Sequence, residues 1–262
     1  MFLSYKNSSF LKFLKYLFIR INKLYVSIFF FKSYELLLKG VYPSSEHENL
    51  FKNLKECDSI IDVGLNKGQF SLIACNKLPN IPLFGFEPID KIYFPFQKYF
   101  KKRFPKRTLL IFPYALSDKE KISSFYITEK NDCSSLLEPS NLGLQITPNF
   151  LKIKKELKIE TKRLDNILIN NFKSKNYKKS LLKIDTQGSE LSVLMGAKNI
   201  LKSHIKYVYI EVSDLEHYKN QNKSNEVITF LGKLGFIIIL KLNISYNDKG
   251  LSYADYLFEK IS

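Results

Sequence analysis

The sequence predicts an α/β fold built around a mostly parallel β-sheet. From residue 59 onward, short apolar segments alternate with segments of helical periodicity, and the last two apolar segments are separated only by a turn-rich stretch. Strands that alternate with helices in this way form right-handed βαβ units. The 262 residues are 45% hydrophobic, which is enough for one substantial domain with an appendage. We expect an N-terminal helical extension over residues 1–50 and one main domain over residues 51–262.

Residues 1–39 have the pattern of an amphipathic helix with a basic polar side. Charged residues interrupt this segment too often for a membrane span, which needs about 20 mostly apolar residues. No uninterrupted apolar region or cleavage site of a signal peptide is evident. We expect a helix that packs on the main domain. The alternative is a helix on an anionic membrane surface, which would place the protein peripherally at the inner face of the membrane. The apolar line comprises Phe10, Leu14, Leu17, Ile21, Leu24 and Ile28.

The main domain is predicted to contain five parallel strands, an insertion and a terminal hairpin. The insertion follows the third strand, where residues 122–128 predict a strand, 129–143 a polar loop and 155–168 a strand that leads into a helix. A helix with apolar residues between 227 and 234 ends at Gly235, which is typical of a C-cap. The five strands are predicted at 59–64, 82–88, 108–116, 180–185 and 207–212, the other helices at 69–78, 91–104 and 190–201, and the hairpin strands at 236–242 and 255–261.

The composition restricts the compartment and the partners. A formal charge of +16 favours anionic partners, but nearly all of it is lysine, whereas bidentate phosphate recognition favours arginine. Because no stripe of interleaved basic and aromatic residues stands out, we expect no specific nucleic-acid partner. Cys57, Cys75 and Cys133 are odd in number and far apart in the sequence, so they form neither a metal pair nor a disulfide framework. This pattern indicates a cytoplasmic protein.

The segment "IDVGLNKGQF" (61–70) indicates a ligand-binding turn after the first strand. Gly64 permits a sharp turn and Gly68 a close approach at the start of the helix, but the third glycine of a dinucleotide fingerprint is missing and Asn66 stands between the other two. The carboxylate of Asp62 is unfavourable for a diphosphate and suits the positive charge of S-adenosylmethionine. Glu87 follows the second strand, where a carboxylate accepts ribose hydroxyls. These residues favour S-adenosylmethionine over NAD.

Seven segments, in order, resemble the FkbM-type methyltransferases. Two departures from the family pattern are Leu65, where a small alanine is usual, and Gln187, where an acidic residue is common. The first is a packing variation, and the second removes a carboxylate from the site. The matching segments are "IDVGLNKGQFS" (61–71), "FGFEP" (84–88), "YALSD" (114–118), "SSLLE" (134–138), "TKRLDNIL" (161–168), "LLKIDTQGSELSVLMGA" (181–197) and "VYIEV" (208–212).

The resemblance implies a Rossmann-like class I methyltransferase fold with a seven-stranded sheet and a C-terminal antiparallel hairpin. It implies S-adenosylmethionine as cofactor, with further cofactor contacts at Pro88, Ala115 and Leu116. The implied reaction is O-methylation of a hydroxyl on a carbohydrate or another small molecule. Ser134 and Ser135 in the inserted loop are candidates for contacts with this acceptor.

Three carboxylates are candidates for the catalytic side of the site. Asp185 and Glu211 end the fourth and fifth strands, and Glu190 follows Asp185. Such a group can act as a general base or orient the acceptor, whereas a divalent ion would need two or more of these oxygens. We favour the base or orienting role and expect no metal. The alternatives are that Glu190 caps its own helix and that Glu211 pairs with a lysine. His217 is a further, less favoured base.

Two other classes of function remain open at this point. A NAD-dependent oxidoreductase would have a complete glycine fingerprint and a hydride-transfer partner such as Tyr-x-x-x-Lys, and neither is evident. A non-catalytic basic protein would bind a membrane or nucleic acid through residues 1–39.

Overall fold

The architecture is described by a computed structural model that covers residues 21, 36, 38, 41–247 and 250–261. Ten strands lie within these residues. They are β1 Ile60–Val63, β2 Leu83–Phe86, β3 Leu109–Phe112, β4 Ala115–Leu116, β5 Lys121–Thr128, β6 Ile153–Lys162, β7 Ser180–Ile184, β8 Ile205–Val212, β9 Phe236–Asn247 and β10 Gly250–Lys260.

Helices connect these strands within the same described ranges. Two 3-10 helices, Ser45–Asn53 and Asn131–Cys133, accompany them. The α-helices are α1 Gln69–Lys77, α2 Asp90–Arg103, α3 Asn141–Ile146, α4 Pro148–Leu151, α5 Leu164–Lys175, α6 Glu190–Met195, α7 Lys198–Ser203 and α8 Ser224–Gly232.

The main sheet has seven strands in the order β3-β2-β1-β7-β8-β10-β9. Strands β3, β2, β1, β7 and β8 are parallel, whereas β10 is antiparallel to both β8 and β9. The strand order reverses beside β1, and the carboxyl ends of the parallel strands meet there. This arrangement is a class I methyltransferase fold, so the predicted fold class, five parallel strands and terminal hairpin are confirmed.

Two apolar clusters cover the two faces of the main sheet. Alternate residues of each strand belong to opposite clusters: Ile61 and Val63 of β1 join the cluster with α5 to α8, whereas Ile60 joins the cluster with α1, α2 and the 3-10 helix Ser45–Asn53. Strands buried on both faces are typical of a parallel sheet. The core therefore fixes the strand ends, where the candidate site lies.

The predicted third strand, 108–116, is wrong as a single strand. β3 belongs to the main sheet, but β4 pairs with β6 in a separate three-stranded sheet of order β4-β6-β5. Pro113 lies between the two pieces and has no N–H group for a ladder hydrogen bond, so the chain leaves the main sheet there. The second sheet corresponds to the insertion that the sequence predicts after the third strand.

The predicted helix 190–201 is divided into α6 and α7 at Gly196. A Cβ atom at this position would overlap the carbonyl oxygen of Ser117, which follows β4, so only glycine allows the approach. The Gly196 carbonyl oxygen also accepts a hydrogen bond from the backbone N–H of Asp165, at 3.1 Å. At this break the helical layer packs directly against the backbone that follows β4 of the second sheet.

The terminal hairpin is longer than predicted. Residues 243–247, expected to lie in a turn, continue β9, and the pairing with β10 is irregular between Leu251 and Asp255. Asn243 has a positive φ of 50° in this irregular region, and its amide donates a 2.6 Å hydrogen bond to Asp255. Residues 243–247, which favour a turn in the sequence, are thus part of a strand that contains a β-bulge.

Most of residues 1–39, including the predicted amphipathic helix, lies outside the described residues. The domain division at residue 50 and the membrane contact therefore stay predictions. The part of the chain that the structure covers contains no helix long and apolar enough to cross a membrane.

Leu65 fills the space above Gly85 of β2. A Cβ atom at Gly85 would lie 2.8 Å from Cδ2 of Leu65, whose side chain is buried. Leu65, which stands where the family usually has alanine, therefore fits because its neighbour Gly85 has no side chain.

We predict that Gly85→Ala lowers the free energy of unfolding by about 1–3 kcal/mol because the added methyl group overpacks this contact. Leu65→Ala should cost about 2–5 kcal/mol by leaving a cavity. In the double variant the alanine methyl occupies part of that cavity, so the combined loss should be smaller than the sum. Chemical denaturation measures all three. Gly232→Ala is the control, since no atom lies within 4 Å of its added Cβ; additive losses would contradict the packing explanation.

Candidate active site

A cavity of about 300 Å³ opens at the carboxyl ends of β1, β2 and β7. The turn after β1 and the end of β2 form one wall, and the residues after β7 form another. Residues 114–116 and the inserted loop 130–136 complete it together with residues 44–47 near the N-terminus. The cavity therefore lies where the strand order reverses, which is the usual ligand position in such sheets.

The turn after β1 is held in an unusual backbone conformation. Gly64 has a φ of 75°, and a Cβ atom there would overlap the carbonyl oxygen of Asp185. Asn66 also has a positive φ, of 49°, and lines the cavity; its amide N donates a 3.4 Å hydrogen bond to Asp132. The Asn66 Oδ1 atom is buried without a hydrogen-bond partner among the described residues. Such an atom fits a ligand that donates a hydrogen bond.

Gly68 has a different surrounding from Gly64. Its φ is 77°, and a Cβ atom would overlap the ring of Phe96 in α2. Gly68 does not line the cavity. The close approach expected at this glycine is therefore between α1 and α2, and a direct contact with the cofactor is not supported.

The carboxylate of Glu87 lines the cavity beside this turn. Its Oε2 atom accepts a hydrogen bond from the backbone N–H of Asn66 at 3.0 Å, and Oε1 accepts one from that of Ile89 at 3.1 Å. Burial raises the pKa of Glu87 to about 7, although both backbone donors oppose the shift. The predicted cofactor-binding residues Pro88, Ala115 and Leu116 also line this cavity.

The expectation that Asp62 faces the ligand is corrected by the structure. Its side chain is completely buried and does not line the cavity. Ser71 donates a 2.6 Å hydrogen bond to Oδ2, and the Lys183 ammonium lies 3.1 Å from Oδ1 in an ion pair whose angles fall outside hydrogen-bond geometry. The charge of Asp62 is balanced by Lys183 on the neighbouring strand, and Lys183 also binds the carbonyl oxygen of Gly64. Asp62 therefore stabilises the turn after β1 through Lys183.

Lys183 is a buried cation at the centre of the site. Its ammonium donates a 3.0 Å hydrogen bond to the carbonyl oxygen of Gly64 and lies 3.7 Å from Oδ2 of Asp185. Burial alone would lower the pKa of Lys183, but the charges of Asp62 and Asp185 more than offset burial and raise it. The lysine is therefore charged at neutral pH.

Asp185 lines the cavity, whereas Glu211 lies behind it. Burial raises the pKa of Glu211 well above its usual value, and the charges of Asp185 and Asp255 raise it further. An interaction with the Asp185 carboxyl group contributes to the same upward shift of the Glu211 pKa, which favours the protonated form of Glu211. Gln187 donates from Nε2 to Asp185 at 2.9 Å and to Glu211 at 3.4 Å. Its amide thus bridges the carboxyl groups at the position where the family has an acidic residue.

Glu190 and Ser135 serve the surrounding loops. The Glu190 carboxylate accepts hydrogen bonds from the backbone N–H groups of Thr186 and Gly188, at 2.9 and 3.0 Å; these donors belong to the loop between β7 and α6 and not to the helix that Glu190 was expected to cap. The Ser135 hydroxyl donates to the carbonyl oxygen of Gln187 at 2.7 Å and does not line the cavity. Ser134 does line it.

A second cavity of about 150 Å³ adjoins the first, with Gln187 in both walls. Glu190 and Glu211 line this second cavity, as does His217, whose Nε2 atom lies 3.3 Å from the carbonyl oxygen of Ser252. Of the three candidate catalytic carboxylates, only Asp185 therefore belongs to the larger cavity. Among the described residues, no group of three or more His, Cys, Asp or Glu side chains could hold a metal ion.

Sequence reasoning missed His47, which lines the larger cavity from the 3-10 helix Ser45–Asn53. Its Nδ1 atom lies 2.7 Å from the hydroxyl of Tyr209, and Asp255 lies next to both. These residues come from three distant parts of the chain, and no motif joins them. It also missed Lys183, although a lysine inside an otherwise apolar strand is a signal that could have been used.

Comparisons with known proteins agree with this architecture. The profile described as "Methyltransferase FkbM domain" matches residues 62–238, more than half of the chain. A comparison with curated sequences finds no match.

Several solved structures are similar to this one. Magnesium protoporphyrin IX methyltransferase from Synechocystis is 10% identical over 83% of this chain and 81% of its own, with a TM-score of 0.43. Precorrin-6y C5,15-methyltransferase from Geobacter metallireducens is 11% identical over 83% and 88%, with a TM-score of 0.44. An rRNA methylase from Streptococcus thermophilus is 10% identical over 82% and 94%, with a TM-score of 0.43.

We predict that Lys183→Met lowers the free energy of unfolding by about 3–5 kcal/mol, because Asp62 would lose the partner of its buried charge. Adding Asp62→Asn should recover part of this loss. Chemical denaturation measures both variants. Lys101→Met, at an exposed position of α2, should change stability by no more than about 0.5 kcal/mol. A Lys183→Met variant as stable as the unaltered protein would show that the ammonium is not needed here.

Proposed function

Because the chain belongs to the FkbM methyltransferase family and is thus an S-adenosylmethionine-dependent methyltransferase, we propose that it methylates a hydroxyl oxygen of a carbohydrate or other small molecule. The observation that carries this proposal is the carboxylate of Asp185, which lines the same cavity as the turn after β1. A carboxylate at this position accepts a hydrogen bond from a hydroxyl group and orients its oxygen.

The residues present fit the cofactor. The buried, unpartnered Oδ1 atom of Asn66 requires a donor, and the cofactor carries an ammonium group and ribose hydroxyls. Glu87 would accept hydrogen bonds from the ribose, as the sequence analysis expects. Pro88, Ala115 and Leu116 would supply apolar contacts for the adenine ring. When bound, S-adenosylmethionine supplies an electrophilic methyl group on a sulfonium.

The acceptor side of the cavity is polar. Asp185 is held by the Gln187 amide and the Lys183 ammonium, and the same Gln187 amide also contacts Glu211. Ser134 and Asp132 add hydrogen-bonding groups from the inserted loop. Such a wall suits an acceptor with several hydroxyl groups, which supports a carbohydrate. Asp185 therefore has an orienting role. Glu211 contributes by its contact with Gln187, and Glu190 by holding the loop before α6.

We predict that S-adenosylhomocysteine binding strengthens as the pH rises from 6 to 8. The raised pKa of Glu87, about 7, means that its carboxyl group is mostly protonated at pH 6, and ribose hydroxyls favour the charged form. If only the carboxylate binds well, the affinity at pH 6 is about tenfold below its plateau at high pH. Isothermal titration calorimetry at both pH values measures this difference.

Glu87→Gln should bind more weakly and without this pH dependence. Glu138→Gln is a matched control, because Glu138 pairs with Lys219 at the surface and does not line the cavity. If the folded protein does not bind the ligand at all, the cofactor assignment fails. Binding that is equally tight in Glu87→Gln would exclude Glu87 as a ribose ligand.

The proposed reaction is tested by incubating the protein with S-adenosylmethionine and a panel of sugar nucleotides and glycans. We expect an acceptor whose mass increases by one methylene unit, with the new methyl group on oxygen. Asp185→Asn should lower kcat/KM for this acceptor while S-adenosylhomocysteine still binds, and Asp118→Asn, outside the cavity, is the control. Methylation only of nitrogen or carbon would contradict the proposal.

A further inference from the structure

We propose that His47 is the base that takes the proton of the acceptor hydroxyl, and that Tyr209 and Asp255 hold its ring in the tautomer that this requires. The inference rests on the proposed function. It also extends the site beyond the matched family segment, since His47 and Asp255 both lie outside residues 62–238.

His47 is fixed at the wall of the larger cavity. The 3-10 helix Ser45–Asn53 carries it over the carboxyl end of the sheet, where its ring makes edge contacts with Phe70 and Tyr209 at centroid distances of 5.7 and 5.5 Å. Its side chain is 17% exposed. Asp185 lines the same cavity and acts electrostatically on the imidazole, so both side chains face the same ligand space.

The hydrogen bonds beneath His47 determine which ring nitrogen carries the proton. Nδ1 lies 2.7 Å from the Tyr209 hydroxyl and 3.7 Å from Oδ2 of Asp255, and the Asp255 carboxylate also interacts with Tyr209. Asn243 donates a 2.6 Å hydrogen bond to Oδ2 of Asp255 and holds it in place. In the proposed arrangement the Tyr209 hydroxyl donates its one proton to the Asp255 carboxylate, and the Tyr209 oxygen accepts a proton from Nδ1.

This chain of donors leaves Nε2 of His47 with a lone pair. Nε2 has no hydrogen-bond partner in the described part of the chain. Because His47 lines the cavity, Nε2 is the ring nitrogen that remains for a ligand there. The imidazole is therefore prepared to accept a proton from a bound hydroxyl group.

Burial keeps the His47 ring neutral despite the carboxylates around it. Burial lowers the pKa of His47, and Lys183 on β7 lowers it too, whereas Asp255 on β10, Glu46 on the same 3-10 helix and Asp185 after β7 raise it. Burial outweighs the three carboxylates, so the net shift is downward. Tyr209 on β8 stays protonated because burial raises its pKa. At neutral pH a neutral imidazole is thus available as a base.

Asp185 is suited to orient the acceptor, and His47 to receive its proton. The Asp185 carboxylate is already held by the Gln187 amide at 2.9 Å and by the Lys183 ammonium at 3.7 Å. In the reaction the acceptor oxygen forms a bond to the methyl carbon while the carbon–sulfur bond breaks and its electron pair stays on sulfur. The hydroxyl proton passes to Nε2 of His47, and the resulting imidazolium later loses it to solvent.

The tautomer of His47 can be measured in the full chain without an acceptor. The protein contains only three histidines, so nitrogen-15 labelling of histidine gives three ring systems, and His47→Gln identifies the one that belongs to His47. We expect Nδ1 to be protonated and Nε2 unprotonated at pH 7.5, with a titration midpoint below 6.5. A wild-type ring protonated at Nε2 would overturn the proposal.

Two variants test the positioning residues by the same spectra. Tyr209→Phe should reduce the population protonated at Nδ1, because the acceptor of that proton is lost. Asp255→Asn should lower the midpoint further, because a charge that favours imidazolium is removed. Tyr207→Phe is the control: Tyr207 is a buried residue of the same strand, but its hydroxyl accepts from the backbone N–H of Lys55. It should leave the His47 signals unchanged.

The catalytic role is tested with the acceptor found for the wild-type protein. His47→Gln should lower kcat by about 100-fold or more, with little change in S-adenosylhomocysteine binding. With saturating S-adenosylmethionine, so that Glu87 does not limit the rate, it should also remove the decline in kcat/KM for the acceptor at acidic pH. His217→Gln, in the second cavity, is the control. Full activity in His47→Gln would overturn the proposal. Failure of the wild-type protein to methylate any hydroxyl would instead reject the proposed function, while the tautomer result would stand independently.

Discussion

The ammonium of Lys183 is the charge around which the site is organised. It lies inside the sheet on β7, between the carboxylates of Asp62 and Asp185, and it also holds the carbonyl oxygen of Gly64. A buried cation is costly unless it is paired, so both carboxylates must remain within reach of it. The ion pair fixes the end of β1 relative to that of β7. The turn after β1 and the orienting carboxylate of Asp185 are consequently held by the same group.

The groups proposed to handle the acceptor proton come from outside the matched family segment. That segment contains Glu87 and the turn with Asn66, which are proposed to hold the cofactor, and also Asp185, which is proposed to orient the acceptor. His47 comes from before the segment and Asp255, 3.7 Å from its Nδ1 atom, from after it. Cofactor binding and the removal of the acceptor proton are thus assigned to different parts of the chain.

The fold could be predicted from the sequence because apolar periodicity directly reflects burial. The boundaries that failed depend on contacts far away in the sequence: the approach of Ser117 that divides the helix at Gly196 leaves no local pattern except the glycine itself. The sequence correctly predicts that Asp62 lies on the first strand, but not that its side chain points away from the cavity. The side chain pairs there with Lys183, a lysine on another strand. His47 could not be found, because the residues that hold its ring are brought together only by the folded sheet.

The missing side chain at Gly196 has an effect beyond the helix that it divides. The carbonyl oxygen of Ser117 occupies the space that a side chain would take, and Ser117 directly follows Ala115 and Leu116 in the wall of the cavity. The width of the site is therefore set in part from a residue that lines no cavity and would touch no ligand. A larger residue at position 196 would displace Ser117 and, with it, the adjoining wall of the cavity.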